Sequence, residues 1–524
     1  MLSFFLLSLL SIPAQGHPQA KVERQRRGND VDLCVFDGPP SVVTVTVAAV
    51  STVVQTSIST QYIAWPTDWP GTLGWHAAGS PGDDASDPGS LPQGVSSPPN
   101  VWTTLTTSTN PYSTSSASTL TTSISTSATL STSSHSSSPT PTPDDWPDHT
   151  VTAYYGAGNT NIFPPENIPW HYLTHLCFAF ANTNGADANY SISIDKTDLL
   201  RYLSEQAQSN GVKLVLSIGG WGRGGMYFSD IVQTNQSISA FVQSVKAVVS
   251  EYSISGVDID WEFVGNLNNA PQRERNVTDA DGYLQMLTAL RAAMPSAELS
   301  AAVPMYVFRQ PANGTSGPLV PVDMHPFVPL FDRLYLMAYD LWGGDDTAGS
   351  NAALVPTGQV HEDQRFGANG VQTWHDAGFP MSKLVYGVPF YGYGYLLSNG
   401  SDPEATGLYS DVDDRSPGDS DENPDGDSGF WKWRNLKSQD VVQQQPDGSY
   451  RAGPGWGYGF DDETQTPYVY TDDDNTTMPQ IISYDDPDSI GLKREYAKQK
   501  GMDGMMFWAM YGDTDDGELT KVLT

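Results

Sequence analysis

Ile254-Ser255-Gly256-Val257-Asp258-Ile259-Asp260-Trp261-Glu262 alternates apolar and acidic residues without a break from Val257 onward. Side chains of a strand point to opposite faces in turn, so residues i, i+2 and i+4 line one side. Val257, Ile259 and Trp261 therefore share a face suited to packing under helices. Asp258, Asp260 and Glu262 share the other, with neighbouring members roughly 7 Å apart. A lone strand carboxylate is usually solvated or salt-bridged. Three on one inward face have no cheap structural explanation, because each unpaired buried carboxylate costs several kcal/mol. Desolvation and like charge both favour a shared proton among them. A hard-metal site is the rival reading. No histidine lies near in sequence and no Asn/Gly calcium pattern surrounds the acids, so acid catalysis is favoured and no metal is expected.

Working outward, short β-prone runs recur with amphipathic stretches between them. The predicted strands are Val151–Tyr155, His175–Ala181, Lys213–Ile218, Gly256–Glu262, Glu298–Pro304, Arg333–Tyr339, Leu384–Pro389 and Gly504–Trp508. Asp198–Asn210, Ala240–Tyr252 and Gly282–Met294 carry apolar residues at helical spacing. Eight strand–helix units imply an α/β fold with parallel strands, closed as a (β/α)8 barrel. Active sites of such barrels open at the C-terminal ends of the strands. Glu262 is last in its row, and two acidic neighbours would raise its pKa and make it a proton donor near neutral pH. The domain, residues 149–524, exceeds the ~250 residues usual for that fold. The excess falls between the seventh and eighth strands, where 396–489 reads as a small α+β insertion. Its acidic run (Asp411, Asp413, Asp414, Asp419, Asp421, Glu422, Asp425, Asp427) lacks calcium-loop spacing and reads as a solvated loop.

Other strand ends carry candidate site residues. Ser217-Ile218-Gly219-Gly220-Trp221 ends the third strand, with glycines that permit a close approach to the backbone and Trp221 at the rim. Met337-Ala338-Tyr339-Asp340 ends the sixth, placing Met337 and Tyr339 on one face. A Tyr339 hydroxyl facing the acid row would hold a reacting group, although packing alone also accounts for an aromatic there. Trp508 ends the eighth strand, where an indole would floor a sugar site or serve the core.

Lys plus Arg is 26 against 60 for Asp plus Glu, a formal charge of −34, which argues against nucleic acid and anionic membrane surfaces as partners. Two cysteines exclude a disulfide-dense scaffold and a cysteine-based zinc site, and Cys34 and Cys177 are not expected to pair. Residues 1–16 read as a signal peptide, with an apolar run to Pro13 too short to span a bilayer. Arg24-Gln25-Arg26-Arg27 reads as a processing site or a solvated basic patch. Residues 17–65, with the β-prone Val42 to Val54, have no assignable fold. Residues 66–148 are rich in Ser, Thr and Pro and read as a disordered, O-glycosylated linker. Sequons at Asn189, Asn235, Asn276, Asn313, Asn399 and Asn475 fit a secreted glycoprotein. Extracellular placement is expected, in free or wall-associated form, as is a monomer.

From Val151 to Thr524 the chain closely resembles the glycoside hydrolase family 18 chitinases. Ser217–Gly220 matches the Ser-x-Gly-Gly signature and the acid row matches Asp-x-x-Asp-x-Asp-x-Glu, with Ser255 in place of the first acid. The resemblance implies a (β/α)8 barrel that hydrolyses β-1,4-linked N-acetylglucosamine with retention, without cofactor or metal, on chitin or chito-oligosaccharides. It is the substrate-assisted exception to the usual carboxylate pair. It further implies that Glu262 protonates the glycosidic oxygen, Asp260 orients the substrate acetamide and Asp258 shares a proton with Asp260. By the same resemblance Tyr339 and Asp340 bind the sugar, and Tyr154 and Ser217 support Asp258. Trp508 floors the site, Met337 lines it and Trp221 stacks on the leaving-group side. Tyr393, after Pro389-Phe390-Tyr391-Gly392, stands where the family often has arginine. Alternatives are a non-catalytic chitin-binding lectin, an endo-β-N-acetylglucosaminidase acting on glycoproteins, and a wall-anchored structural protein.

Overall fold

The computed structural model describes residues 146–524 except 266–277, 313–318, 343–346, 357–364, 399, 420–427 and 472–478, and the backbone of three strands nearer the N-terminus. The chain divides into two units, one of residues 1–65 and 82–133, the other of 66–81 and 134–524. In the first, Glu23–Arg27, Val31–Val35 and Trp102–Thr104 pair antiparallel in that order. The basic Arg24 to Arg27 stretch is thus extended backbone, and one short strand comes from the Ser/Thr-rich segment. The signal-like Met1 to Gly16 and the Val42 to Val54 run lie outside the described residues.

The second unit is built on eight parallel strands: β1 (Thr150–Gly156), β2 (His175–Thr183), β3 (Lys213–Gly219), β4 (Gly256–Asp260), β5 (Glu298–Val303), β6 (Arg333–Leu336), β7 (Leu384–Pro389) and β8 (Gly504–Trp508). Each pairs with its sequence neighbours, and β1 pairs with both β2 and β8, which closes the (β/α)8 barrel. Three strands end earlier than predicted, β5 by one residue, β4 by two and β6 by three. At the end of β4 the Asp260 carbonyl accepts from the Gly220 amide at 2.8 Å, where β3 turns away. Glu262 consequently stands on a turn beyond the ladder, as Tyr339 stands beyond β6.

The helices α1 (Thr197–Asn210), α2 (Asn235–Glu251) and α3 (Asp279–Ala293) cover the barrel. The start of α2 lies five residues before the expected Ala240, because Thr234 and Ser237 satisfy each other's backbone N–H groups in a reciprocal cap. Val257 and Ile259 join the outer layer with Phe241, Val245, Met286 and Leu287. Burial of such side chains stabilises by about 1.5–3 kcal/mol each. A second layer fills the barrel itself: Tyr154, Cys177, Val215, Tyr335, Val385 and Met506. Cys177 is a free, buried thiol.

Charged residues close the N-terminal end of the barrel. The first residues of four strands meet there: His175, Lys213, Glu298 and Arg333. Arg333 Nη1 lies 2.8 Å from Glu298 Oε2, and His175 Nε2 lies 2.9 Å from the same oxygen. Lys213 pairs with the other Glu298 oxygen, and Arg333 Nε reaches Asp503 at 3.1 Å.

Between β7 and β8 lies the α+β insertion. Its antiparallel sheet runs in the order Val412–Arg415, Tyr391–Leu397, Gln480–Ser483, Thr466–Tyr470, Gly457–Asp461, with Phe430–Lys432 also pairing Tyr391–Leu397. The sheet starts at Tyr391, five residues before the expected bound, because β7 passes into it after one residue. Tyr468 and Tyr470 lie flat over Gly459 and Gly457, where a Cβ would come 2.0 and 2.3 Å from the rings. In the acidic run, Asp411, Asp413 and Asp414 are exposed as expected. Asp419 departs from a solvated loop: it is fully buried and paired with Lys432 at 3.0 Å.

Candidate active site

The acid row rises through the barrel from buried to accessible. Asp258 is 0 % exposed and Asp260 4 %, while Glu262 is half-buried. In register with Asp258 are Ser217 on β3 and Ser300 on β5. Ser217 Oγ donates to Asp258 Oδ2 at 2.7 Å, and Ser300 Oγ donates to Oδ1 at 3.0 Å. From β1, the Tyr154 hydroxyl donates to Oδ2 at 2.8 Å. Burial pushes the Asp258 carboxyl up, and the three hydroxyls pull it back only in part. Burial first, and then the Asp258 charge, hold the Tyr154 phenol far above its ordinary value, so it remains a donor.

The turn carrying Glu262 is anchored by Trp261. That indole stacks on Phe228 at 5.3 Å and meets Tyr283 edge-on at 5.4 Å. Tyr339 is buried beyond β6, its ring edge-on to that of Tyr391 at 6.2 Å. Burial raises its pKa well above the usual phenol, and the charges of Asp260, Asp340, Glu262 and Asp258 add to that. It therefore stays protonated.

Asp340 follows with φ at +53°, a left-handed conformation that aspartate tolerates better than most residues. Its amide donates to Asn351 Oδ1 at 3.2 Å, and its side chain accepts from the Tyr391 hydroxyl at 2.6 Å. Burial pushes the Asp340 carboxyl up to about 6, with Tyr391 and the charge of Arg415 acting against it. The insertion thus reaches into the site through Tyr391.

Trp508 is half-buried, stacked on Phe180 at 5.5 Å and tilted against Tyr154 at 5.6 Å. Met337 packs partly buried against the barrel interior, and Trp221 stands 43 % exposed. The close approach permitted by the glycines after Ser217 is used by the protein itself. A Cβ on Gly219 would lie 2.2 Å from the Asp260 carbonyl, and one on Gly220 2.6 Å from the Phe180 ring. Both have positive φ.

The structure therefore brings Tyr154 and Ser217 onto Asp258 inside the barrel, sets Trp508 against Tyr154 and Tyr339 against Tyr391, and joins Asp340 to Tyr391. Sequence reasoning missed Ser300, Phe180, Tyr391, Asn351 and Arg415. Ser300 had a signal, since it shares the inward face of a predicted strand. Tyr393 is covered by Arg415, whose guanidinium carbon lies 4.5 Å from its ring and 4.4 Å from that of Tyr395.

The model of the glycosyl hydrolases family 18 matches residues 150–513. The chain belongs to this family. It is a glycoside hydrolase. A chitinase-like effector of Moniliophthora roreri is 31 % identical over 70 % of this chain and 89 % of its own. An endochitinase of Manduca sexta is 29 % identical over 69 % of this chain and 61 % of its own. A solved chitinase from Rhizomucor miehei superposes with a TM-score of 0.62 and 30 % identity, covering 71 % of this chain and 98 % of that one.

Proposed function

We propose that this glycoside hydrolase is a secreted chitinase that cleaves β-1,4-N-acetylglucosamine linkages with retention, through attack by the substrate's own acetamide. The observation that carries the reading is the graded acid row: Asp258 locked by three hydroxyls at the bottom, Glu262 accessible at the top. Glu262 protonates the glycosidic oxygen as the leaving sugar departs. The acetamide carbonyl oxygen attacks the anomeric carbon and closes an oxazolinium ring. Asp260 orients the acetamide and balances its positive charge, with Asp258 sharing a proton beneath it. Tyr339 donates to the acetamide oxygen and Asp340 accepts from a sugar hydroxyl. Trp508 floors the bound ring, Met337 lines it and Trp221 stacks on the leaving-group side. Water, deprotonated by Glu262, then opens the ring with the original anomer restored.

Two results test this. NMR of fresh products from a chitin hexamer should show the β-anomer first, and a thiazoline mimic of the oxazolinium ion should inhibit competitively. An α-anomeric first product, or indifference to the mimic, rejects substrate assistance. A non-catalytic chitin-binding lectin is the second reading; two relatives are named chitinase-like effectors rather than chitinases. Oligomer binding without turnover would decide for it. Release of glycans from high-mannose glycopeptides in preference to chitin would decide for the endo-β-N-acetylglucosaminidase reading.

A further inference from the structure

Arg415 ends the strand Val412–Arg415 of the insertion and stands in register with Tyr395. It is half-buried, and its guanidinium lies over the rings of both Tyr393 and Tyr395. Ring faces take up the faces of the guanidinium and leave its N–H edges for other partners. Nη1 is buried, and among the described residues it has no hydrogen-bond partner. A charged donor left so is costly, and an acceptor brought in by a ligand would relieve that cost. The same charge acts through space on Asp340, the acid held by Tyr391 at the edge of the site. An ionised carboxylate only accepts hydrogen bonds and a guanidinium only donates them. Together they match a ring whose hydroxyls do both.

We propose that Arg415 is a substrate-positioning cation of this site, donating to the hydroxyl or acetamide oxygens of the sugar that Asp340 holds. The inference rests on the chitinase reading above and adds to it a residue from the inserted sheet. The barrel supplies the reacting acids. The insertion supplies the donor that fixes which way the ring faces. Because the interaction is made in the ground state and kept through the reaction, its loss raises KM more than it lowers kcat. A purely structural stacking role would move neither in this pattern.

The test compares wild type, Arg415→Met and Arg415→Lys on chitopentaose. Arg415→Met should raise KM at least ~10-fold with kcat within about threefold, and Arg415→Lys, which keeps charge but loses the planar fork, should fall between. The acid limb of kcat/KM should also move to higher pH in the Met variant, since Asp340 loses the cation that holds its carboxyl down. The groups facing Asp340 are Tyr339 on its own segment, Tyr391 and Tyr393 on the neighbouring strand and Arg415, and only the last is changed. A Met variant with KM within twofold of wild type and an unmoved acid limb overturns the proposal. Should Arg415→Met not fold, the Lys variant decides: KM raised about threefold or more supports it, an unchanged KM overturns it. If wild type itself turns over no oligomer, the chitinase reading fails separately, and calorimetric Kd values of the same pentamer for wild type and Arg415→Lys then decide the Arg415 question.

Discussion

The two ends of the barrel handle buried carboxylates in opposite ways. At the N-terminal end Glu298 is met by Arg333, Lys213 and His175, and these partners hold its carboxyl well below the ordinary value although burial opposes them. In the interior near the other end, Asp258 is met by three neutral hydroxyls, and burial wins. One end spends its charge on cohesion. The other keeps acids in a state where a proton is easily moved. The difference lies in partner type rather than in acid content, since carboxylates stand at both ends.

Substitutions at each end should therefore fail differently. Glu262→Gln should lower kcat by ~10²-fold or more, within the range of general-acid contributions, while oligomer binding and thermal midpoint stay near wild type. Near-wild-type turnover would remove Glu262 from its role. Arg333→Met should leave Asp503 without its ion-pair partner and Glu298 with only Lys213 and His175, and cost about 1.5–3 kcal/mol in urea unfolding, with kcat of the folded fraction little changed. The sign of the pH effect follows from Glu298: its folded value is depressed, so its stability contribution is present above the ordinary 4.5 and is lost as pH falls below it. Arg333→Met should flatten that acid loss.

At the open end the pH effect is on activity. Asp340 titrates at about 6, so kcat/KM should fall roughly tenfold per pH unit below that value. Asp340→Asn should abolish this limb while lowering the plateau. The smallest effect is expected for Ser300→Ala, which removes one of the three donors to Asp258. One such hydrogen bond is worth about 0.5–1.5 kcal/mol net, so kcat/KM should drop up to about tenfold and the acid should rise further. An unchanged pH profile would mean that Ser217 and Tyr154 suffice.

The eight strands and the inward acid row were legible because period-two alternation survives in a strand wedged between helices and a filled barrel. The end of β4 was not, since the alternation runs on through Glu262 after the last ladder bond. Ser300 was visible as an inward residue but not as a partner of Asp258, because register between strands some forty residues apart is not written in either strand. Tyr391 and Arg415 come from the long insertion. There Arg415 follows Asp413 and Asp414, and the run as a whole reads as solvent-facing, so the one cation among them drew no notice. The same bias hid Asp419, whose partner Lys432 is thirteen residues away.

Cys177 sits inside the barrel, wholly inaccessible, in the layer shared with Tyr154 and Tyr335. A thiol reagent can reach it only when neighbouring strands part. In a Cys34→Ser background the rate of labelling at that single sulfur would time the opening of the enzyme's innermost shell, and a tightly bound oligosaccharide should slow the clock.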